Sequence, residues 1–358
     1  MGTQSYHYVR SPKSRANQTD ADKKALNRHG RDNRLLVWQL APSDETELDQ
    51  TLPVDGDSAV QKLPWLVHAI PVNALNFCSF AMCYDGMPHP SMSSRALRTA
   101  DTIKPILFAV PNAMDSGGVD IFELPSRRRA ATINADRSIT TGMVMCLSIL
   151  AETTRIQVAV GYESGHTMVF VQADPGACFE KLYSAQAHTQ PVLSLAVSPC
   201  KDHYITSSAD AKIAKHPLPC DRSIFKTAFK PIKISNSKHA GQQGLSYRSD
   251  GRIFATAGWD SALRVYSGKT LKEVAVLKWH KEGCYSTAFA SVHTQANRSV
   301  DPEYVNDEGS DSVSSTQSDT LASTRTSVQQ RRDQAARSTH WLAAGSKDGK
   351  ISLWDIFQ

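Results

Sequence analysis

The C-terminal stretch of the sequence reads Trp341-Leu-Ala-Ala-Gly-Ser-Lys-Asp-Gly-Lys-Ile-Ser-Leu-Trp-Asp-Ile-Phe-Gln358. Two apolar runs, 341–344 and 351–356, flank a Ser-Lys-Asp-Gly turn. Short apolar runs on both sides of a glycine-containing turn predict a β-hairpin. Its second strand reaches Trp354-Asp355, and the turn residue Asp348 lies six positions before Trp354. The fold therefore depends on whether this spacing recurs.

The six-residue spacing from a turn residue to an aromatic recurs upstream. Side chains alternate along a strand, so a fixed spacing places the aromatic on the same face each time. Two further pairs match fully, Asp32 with Trp38 and Asp260 with Tyr266. Three degenerate pairs keep the spacing but change one residue, namely Asp210 with His216, Ser116 with Phe122 and Ser164 with Phe170. Such repeats predict an all-β propeller of four-stranded antiparallel blades, here about six of them.

The distances between the six aromatic positions support this blade count. Those positions are Trp38, Phe122, Phe170, His216, Tyr266 and Trp354. Three of the five intervals lie slightly above the roughly 40 to 45 residues expected of a blade. Two inserts, 82–103 and 291–339, explain the longer intervals, the first falling between the apolar runs 72–77 and 106–110. The Ser- and Thr-rich insert 291–339 is predicted to be a disordered loop, inert or regulated by phosphorylation.

Four histidines precede predicted inner strands and provide a second repeat signal. They are His68, His188, His239 and His280. A histidine at this place is expected to hydrogen-bond toward the turn acid of its own blade. His188 stands 22 residues before Asp210, and His239 stands 21 before Asp260. We interpret all four as structural side chains rather than as metal ligands or general bases.

These repeats resemble the WD repeats of β-propellers. Three segments are similar in sequence to the fungal family of ASTRA-associated protein 1. They are residues 31–40, 71–80 and 343–356. The similarity runs from about His29 to Gln358. The resemblance implies a seven-bladed propeller in the nucleus that is a non-catalytic scaffold subunit of the ASTRA complex and a chromatin regulator. The implied partners are a giant kinase of the phosphatidylinositol-3-kinase-like class, the co-chaperones of its maturation and AAA-type helicases.

The N-terminal part departs from the family. The family has a full repeat ahead of the segment that corresponds to His29, whereas residues 1–28 are polar and are predicted to be disordered or aberrant. We therefore expect that one repeat is absent, through a lost exon or a shortened form. The segment Tyr6–Arg10 contains strand-forming residues. Because the last predicted blade stops at its third strand, we expect 6–10 to close the ring as its fourth strand.

Composition narrows the function classes. The net charge of +5 is mild for 358 residues, no apolar run reaches membrane-spanning length, and the N-terminus lacks an apolar signal core. These features predict an intracellular protein that binds neither membrane nor nucleic acid. Two basic stretches, Arg127–Arg129 and Lys226–Lys238, are interpreted as solvated loops, with phosphate binding as the alternative. Seven cysteines form no Cys-x-x-Cys pair, so no metal or other cofactor is expected.

The search for catalytic motifs is negative. Ser267-Gly-Lys-Thr270 resembles the end of a phosphate-binding loop but lacks the required earlier glycine, where Leu263 stands. The favoured function is an interaction scaffold, and a propeller enzyme ranks last. The alternative is a substrate adaptor of a cullin-type ubiquitin ligase, a class that often has arginine two positions after Trp-Asp, where this chain has Phe357. Trp259 and Trp279 are not blade-ending aromatics, so they are candidate partner-binding residues, although they could instead pack between blades.

Overall fold

The computed structural model describes residues 5–10, 24–29, 33–40, 65–73, 78, 80–84, 105–152, 155–174, 176–219, 230–290, 292, 332, 335–336 and 338–356. The described strands form six antiparallel sheets, five with four strands and the last with three. We call these sheets blades I to VI in chain order. No helix within the described residues combines the length and apolar character needed to cross a membrane.

The strands follow one another in sequence order within each blade. Blade I contains β1 (Ser5–Arg10), β2 (Lys24–His29), β3 (Arg34–Leu40) and β4 (Trp65–Pro71), and blade II contains β5 (Ala81–Tyr84), β6 (Ile106–Pro111), β7 (Val119–Leu124) and β8 (Arg128–Ile133). Blade III contains β9 (Val144–Glu152), β10 (Arg155–Tyr162), β11 (His166–Gln172) and β12 (Glu180–Gln186), and blade IV contains β13 (Val192–Val197), β14 (His203–Ser208), β15 (Lys212–Pro217) and β16 (Lys233–Asn236). Blade V contains β17 (Gln242–Tyr247), β18 (Ile253–Gly258), β19 (Ala262–Ser267) and β20 (Glu273–Lys278), and blade VI contains β21 (Cys284–Phe289), β22 (Trp341–Ser346) and β23 (Ile351–Asp355).

Every predicted aromatic position lies on the third strand of a blade. These strands are β3, β7, β11, β15, β19 and β23. In four blades the ladder to the outer strand shifts register just before the aromatic, which is Trp38, Phe122, Phe170 or Tyr266. A bulge of this kind increases local twist and changes the direction of a side chain. The predicted propeller of antiparallel blades is thus confirmed.

The core lies between successive blades rather than inside any one sheet. Leu35 and Val37 of blade I cluster with Phe108 and Val110 of blade II. The same arrangement recurs from blade II to blade VI, where apolar third-strand residues pack against the second strand of the following blade. Because one blade buries little apolar surface alone, the stacking of neighbours supplies the hydrophobic stabilisation.

The predicted role of the N-terminal segment is wrong. The segment forms a strand, but it pairs with β2 from Ser5 opposite His29 to Arg10 opposite Lys24, so it is the first strand of blade I. It is therefore not the closing strand of blade VI. Residues 24–28, predicted to be disordered, lie in β2. Pairing with a partner close in sequence closes a short loop and carries a smaller entropic cost than pairing with the far end of the chain. Residues 1–4 and 11–23 lie outside the described residues.

The insert boundaries also need correction. The predicted insert 82–103 starts too early, because Met82, Cys83 and Tyr84 belong to β5 and pair with β6. The strand expected at 72–77 is not present at Val72 and Asn73, and residues 74–77 lie outside the described residues. Residues 85–104 and most of 291–339 also lie outside them, so the disordered loop stays a prediction.

Candidate protein-interaction face

Blade IV contains the expected hydrogen bond between an entry histidine and a turn acid. The Nδ1 atom of His188 lies 3.0 Å from Oδ1 of Asp210. The backbone N–H of Thr189 donates to Oδ2 at 2.9 Å, and that of Lys212 donates to Oδ1 at 3.0 Å. Burial opposes ionisation of Asp210, but these hydrogen bonds outweigh it and lower the pKa of the carboxyl to about 2. The turn acid therefore fixes the loop that enters blade IV.

The network continues from His188 through the blade to its neighbour. Nε2 of His188 lies 2.8 Å from Oγ1 of Thr206, which lies 3.0 Å from Nε2 of His216. Nδ1 of His216 in turn lies 3.0 Å from the hydroxyl of Tyr183 in blade III. Burial, together with the charge of His188, lowers the pKa of His216 to about 3, so its ring is neutral. The histidine at this aromatic position is thus explained by hydrogen bonds on both of its ring nitrogens.

Blade V does not repeat this arrangement, and the expectation for His239 is wrong. Its Nδ1 atom lies 3.7 Å from Oδ2 of Asp260, beyond hydrogen-bonding distance. Asp260 is paired with the guanidinium of Arg264 instead, with Oδ1 lying 3.0 Å from Nη1. Gln242 accepts a 2.6 Å hydrogen bond from Thr256, the equivalent of Thr206. His239 is one residue closer to its inner strand than His188 is to its own, and this displaces the ring of His239. The sequence signal for the difference is the distance to the turn acid, which is 21 residues for His239 and 22 for His188.

Blade VI uses its histidine in a third way. Nε2 of His280 lies 2.8 Å from Oγ of Ser352, which also accepts a 2.8 Å hydrogen bond from Nε1 of Trp354. Ser352 pairs with Ala344 in the ladder, whereas in blade IV the hydroxyl residue Thr206 pairs with Ala214. The hydroxyl group has therefore moved to the opposite strand. The turn acid Asp348 caps its own turn by accepting the N–H of Lys350 at 3.0 Å, and Asp355 lies exposed at the end of β23.

The assignment of His68 to the start of an inner strand is wrong. His68 lies within β4, the outer strand of blade I, because that strand extends to Pro71. Its Nδ1 atom accepts a 3.0 Å hydrogen bond from Nε of Arg127 in blade II. Burial and the positive charge of Arg127 lower the pKa of His68. The turn acid Asp32 lies outside the described residues.

The triple-arginine stretch is engaged by protein groups. Besides the contact of Arg127 with His68, Arg128 forms a 3.2 Å ion pair with Glu123, and Arg129 lies 3.7 Å from Asp120. These contacts compete with any phosphate for the three guanidinium groups. In the second basic stretch, residues 226–229 lie outside the described residues, and Nζ of Lys233 donates to the carbonyl oxygen of Thr270 at 2.8 Å.

Trp259 is a partly exposed aromatic held in a defined position. It occupies the turn between β18 and β19 and exposes 47% of its surface. Its Nε1–H donates to Oε1 of Gln243 at 2.7 Å. Its ring lies against Gly241, where an added Cβ would approach Cε3 to 2.2 Å and where φ is +73°. The glycine therefore makes room for the indole, which is anchored by a hydrogen bond on one side and by backbone contact on the other.

Trp279 lies at the same end of blade V. It follows β20 and exposes 57% of its surface, while its ring meets that of His280 edge-on at 4.9 Å. Ala262 at the start of β19 pairs with Lys278 at the end of β20, so the turn that holds Trp259 and the loop that holds Trp279 lie at the same end of blade V. We call the surface formed by Trp259 and Trp279 the tryptophan face. Each ring is also partly covered, Trp279 by His280 at the entry to blade VI, so both the partner-binding role and the alternative of packing against a neighbouring blade stay predictions.

Comparison with known proteins connects this fold to a named family. The family described as WD domain, G-beta repeat matches residues 179–214 and 334–355, which fall on blades III, IV and VI. ASTRA-associated protein 1 of Penicillium rubens is 50% identical over 92% of this chain and 81% of its own length. The Aspergillus niger protein of that name is 46% identical, with coverage of 92% and 80%, and the Schizosaccharomyces pombe protein is 29% identical, with coverage of 74% and 76%. The chain belongs to the ASTRA-associated protein 1 family.

In this member of the ASTRA-associated protein 1 family, the described inner strands carry few charged side chains. The described side chains of β5, β9, β13, β17 and β21 include one charged residue, Glu152. Glu152 forms ion pairs with Arg155 at 2.8 Å and Lys201 at 3.6 Å. Within the described ranges, no group of three or more His, Cys, Asp or Glu side chains could hold a metal ion. Trp259 and Trp279, exposed at one end of blade V, are therefore kept as the candidate partner-binding residues.

Proposed function

We propose that this protein is a non-catalytic WD-repeat scaffold subunit of the ASTRA complex. Two findings support the proposal: the identity of up to 50% with relatives named ASTRA-associated protein 1, and the tryptophan face. The observation that carries it furthest is the exposure of Trp259 and Trp279 at one end of the antiparallel sheet of blade V. Large aromatics that stay accessible on a folded domain are frequent anchors of protein–protein interfaces.

The geometry of Trp259 suits an anchor. Because Gly241 and Gln243 already hold the indole, little side-chain entropy is lost when a partner covers it. Trp279 adds a second apolar contact beside the buried ring of His280. A partner with an apolar surface rimmed by polar groups would bury both rings at once.

The proposed cellular role follows from the family. The protein would act in the nucleus as a chromatin regulator, in remodelling and in the maturation of phosphatidylinositol-3-kinase-like kinases. Its partners would be the giant kinase, the co-chaperones of that kinase and AAA-type helicases, without direct binding to nucleic acid or membrane. The pairing of Arg127, Arg128 and Arg129 with protein groups supports the proposal that nucleic acid is not a ligand.

Affinity purification of the tagged full chain from a fungal host, followed by mass spectrometry, tests this role. We expect the giant kinase and its co-chaperones to be retained, and nuclear localisation of the tagged protein. Retention of cullin components instead would support the alternative, a substrate adaptor of a ubiquitin ligase, and would overturn the proposal. Against that alternative, the position two residues after Trp354-Asp355, where that class often has arginine, is Phe357.

Substitutions of the tryptophan face test the site itself. The double variant Trp259→Ala and Trp279→Ala should lose most partner retention, because both anchors are removed. Trp65→Ala is the matched control, since Trp65 exposes 75% of its surface on the outer strand of blade I. Equal retention by the two variants, with thermal unfolding unchanged, would show that the tryptophan face is not the binding site.

A further inference from the structure

The outer strand of blade II adjoins a cavity. A space of about 350 Å³ lies between β8 of blade II and the residues at and after the end of β11 of blade III. By comparison, an enclosed apolar cavity of about 150 Å³ holds benzene. The space, which we call the β8 cavity, therefore has room for an aromatic side chain. Its apolar lining residues are Ala130, Ala131, Ile133, Phe170, Ala177 and Phe179.

The β8 cavity exists because β8 has a small residue where the next outer strand has a large one. Ala131 pairs with Ile121, the residue before the aromatic of blade II. In blade III the equivalent residue is Tyr183, which pairs with Val169. Tyr183 is buried between blades III and IV, where its hydroxyl meets His216. The methyl group of Ala131 leaves the corresponding space between blades II and III open.

The strand beside the cavity is also an edge strand. β8 is the last strand of blade II, and no other described strand pairs with its outer edge. The consecutive residues 131–134 all border the cavity, although side chains alternate between the two faces of a strand. The backbone edge of β8 therefore meets the cavity together with the side chains. Unpaired backbone groups on such an edge can hydrogen-bond an added strand, and a pocket beside the edge can take one of its side chains.

Two exposed arginines precede the cavity residues on β8. The side chains of Arg128 and Arg129 are 70% and 58% exposed. Each pairs with a carboxylate of the same blade, Glu123 at 3.2 Å and Asp120 at 3.7 Å. A guanidinium has five N–H donors, so each arginine can bind a further carboxylate. The edge of β8 is thus complementary to an extended segment that carries acidic residues.

We propose that the β8 cavity binds an extended acidic segment of a partner protein, which pairs with the outer edge of β8 and inserts an aromatic side chain beside Ala131. The backbone edge holds the segment extended, the cavity selects the aromatic residue, and the arginines select its acidic neighbours. The β8 cavity lies on blades II and III, whereas the tryptophan face lies on blade V. The proposal therefore does not rest on the proposed function.

Selection of peptides by the full chain tests the proposal. The probe is a phage library of random peptides about seven residues long, enough to pair along the six residues of β8. We expect enrichment of peptides in which an aromatic residue is flanked by Asp or Glu. The affinity of a synthetic enriched peptide is then measured by fluorescence polarisation. The double variant Arg128→Gln with Arg129→Gln should bind this peptide several-fold more weakly than the unmodified chain does.

Filling the cavity is the most direct substitution. Ala131→Leu should bind the selected peptide at least about tenfold more weakly, because the added side chain occupies the place of the aromatic anchor. Ala275→Leu is the matched control and should bind the peptide normally. Ala275 has the same position on the outer strand of blade V, opposite Val265, and is half-buried as Ala131 is.

Protection of a cysteine tests the same contact in the unmodified chain. Cys178 lines the cavity and is exposed, whereas Cys200 is an exposed cysteine between β13 and β14 of blade IV. The selected peptide should slow the alkylation of Cys178 by N-ethylmaleimide several-fold and leave that of Cys200 unchanged, as measured by peptide mass spectrometry. This result does not depend on the folding of any variant.

The outcomes that would overturn the proposal are distinct. One is the absence of any enriched peptide with an aromatic residue and acidic neighbours. Others are equal affinities of Ala131→Leu and Ala275→Leu, an unchanged affinity of the double arginine variant, or alkylation of Cys178 at the same rate with and without the peptide. Binding of free indole in the cavity without selection of any peptide would assign the cavity to a small aromatic molecule and would also overturn the proposal.

Discussion

Tyr183 of blade III and His216 of blade IV are joined by a 3.0 Å hydrogen bond between the tyrosine hydroxyl and Nδ1 of the histidine. His216 also bonds Thr206 through Nε2 at 3.0 Å and stacks on Tyr204 with a ring separation of 4.9 Å. A carbocyclic aromatic at this position would supply only the stacking. The histidine therefore links two blades by polar contacts in a site without access to water.

Substitution of His216 should show how much its hydrogen bonds contribute to stability. The variant His216→Phe keeps the stacking but leaves the buried hydroxyls of Tyr183 and Thr206 each with one partner fewer. We expect a loss of about 1–3 kcal/mol in the free energy of unfolding, measured by urea denaturation. The double variant with Tyr183→Phe should be less destabilised than the sum of the single variants, because it removes both ends of the hydrogen bond. Strict additivity would show that the link contributes nothing.

Asp210 should make stability depend on pH in the acid range. Its pKa is about 2 in the folded chain and about 3.9 in an unfolded one, so its contribution is present above pH 4 and is lost as the pH falls toward 2. The contribution is on the order of 2 kcal/mol. Urea denaturation at pH 7, 4 and 3 should show a smaller acid-induced loss in Asp210→Asn than in the unmodified protein. Asp355→Asn, which removes an exposed carboxylate, is the control. If Asp210→Asn loses as much stability on acidification as the unmodified protein does, the assignment to Asp210 is refuted.

The ion pair of Asp260 and Arg264 should respond asymmetrically to substitution. The side chain of Arg264 is 4% exposed and that of Asp260 is 41% exposed. Asp260→Asn leaves the buried guanidinium of Arg264 with Glu273, at 3.6 Å, as its remaining carboxylate. This variant should lower the free energy of unfolding by about 3 kcal/mol. Arg264→Met leaves a carboxylate that solvent can hydrate, so it should cost less. Thermal and urea unfolding of the two variants measure the difference, and the reverse order would be inconsistent with the burial pattern.

Gly241 should control the position of Trp259. In Gly241→Ala the new methyl group collides with the indole, so Trp259 is displaced although it is still present. We expect a shift in tryptophan fluorescence and a loss of partner retention close to that of Trp259→Ala.

Gly349→Ala is the control for backbone strain in that experiment. Gly349 also has a positive φ, +77°, but no atom lies within 4 Å of its ideal Cβ position. If Gly349→Ala reduces partner retention as much as Gly241→Ala does, strain in a turn rather than displacement of the indole is responsible.

Local signals in the sequence located the blades. The distance from turn residue to aromatic depends only on the length of one strand, so it identified the third strand even where His216 replaces the aromatic. The pairing of His188 with Asp210 was also accessible, because the hairpin geometry that joins them is repeated along the chain. At His239, a difference of one residue in this spacing was enough to make the same prediction wrong.

Other features were decided by contacts between distant segments. The partners of His280 and His216 depend on which strand carries a hydroxyl and on which blade follows, and neither is encoded in local spacing. The N-terminal strand found a local partner in β2, although its composition was compatible with either end of the ring.

The sequence by itself determined the repeat, its third strands and the family, since alternation and turn chemistry act over a few residues. Only the tertiary structure decided which tryptophans stay exposed and which apolar positions of the third strands stay uncovered. Burial is a property of packed neighbours, and apolar residues at the same two alternate positions of a third strand are core at Leu263 and Val265 but surface at Ile351 and Leu353, according to what lies beside them.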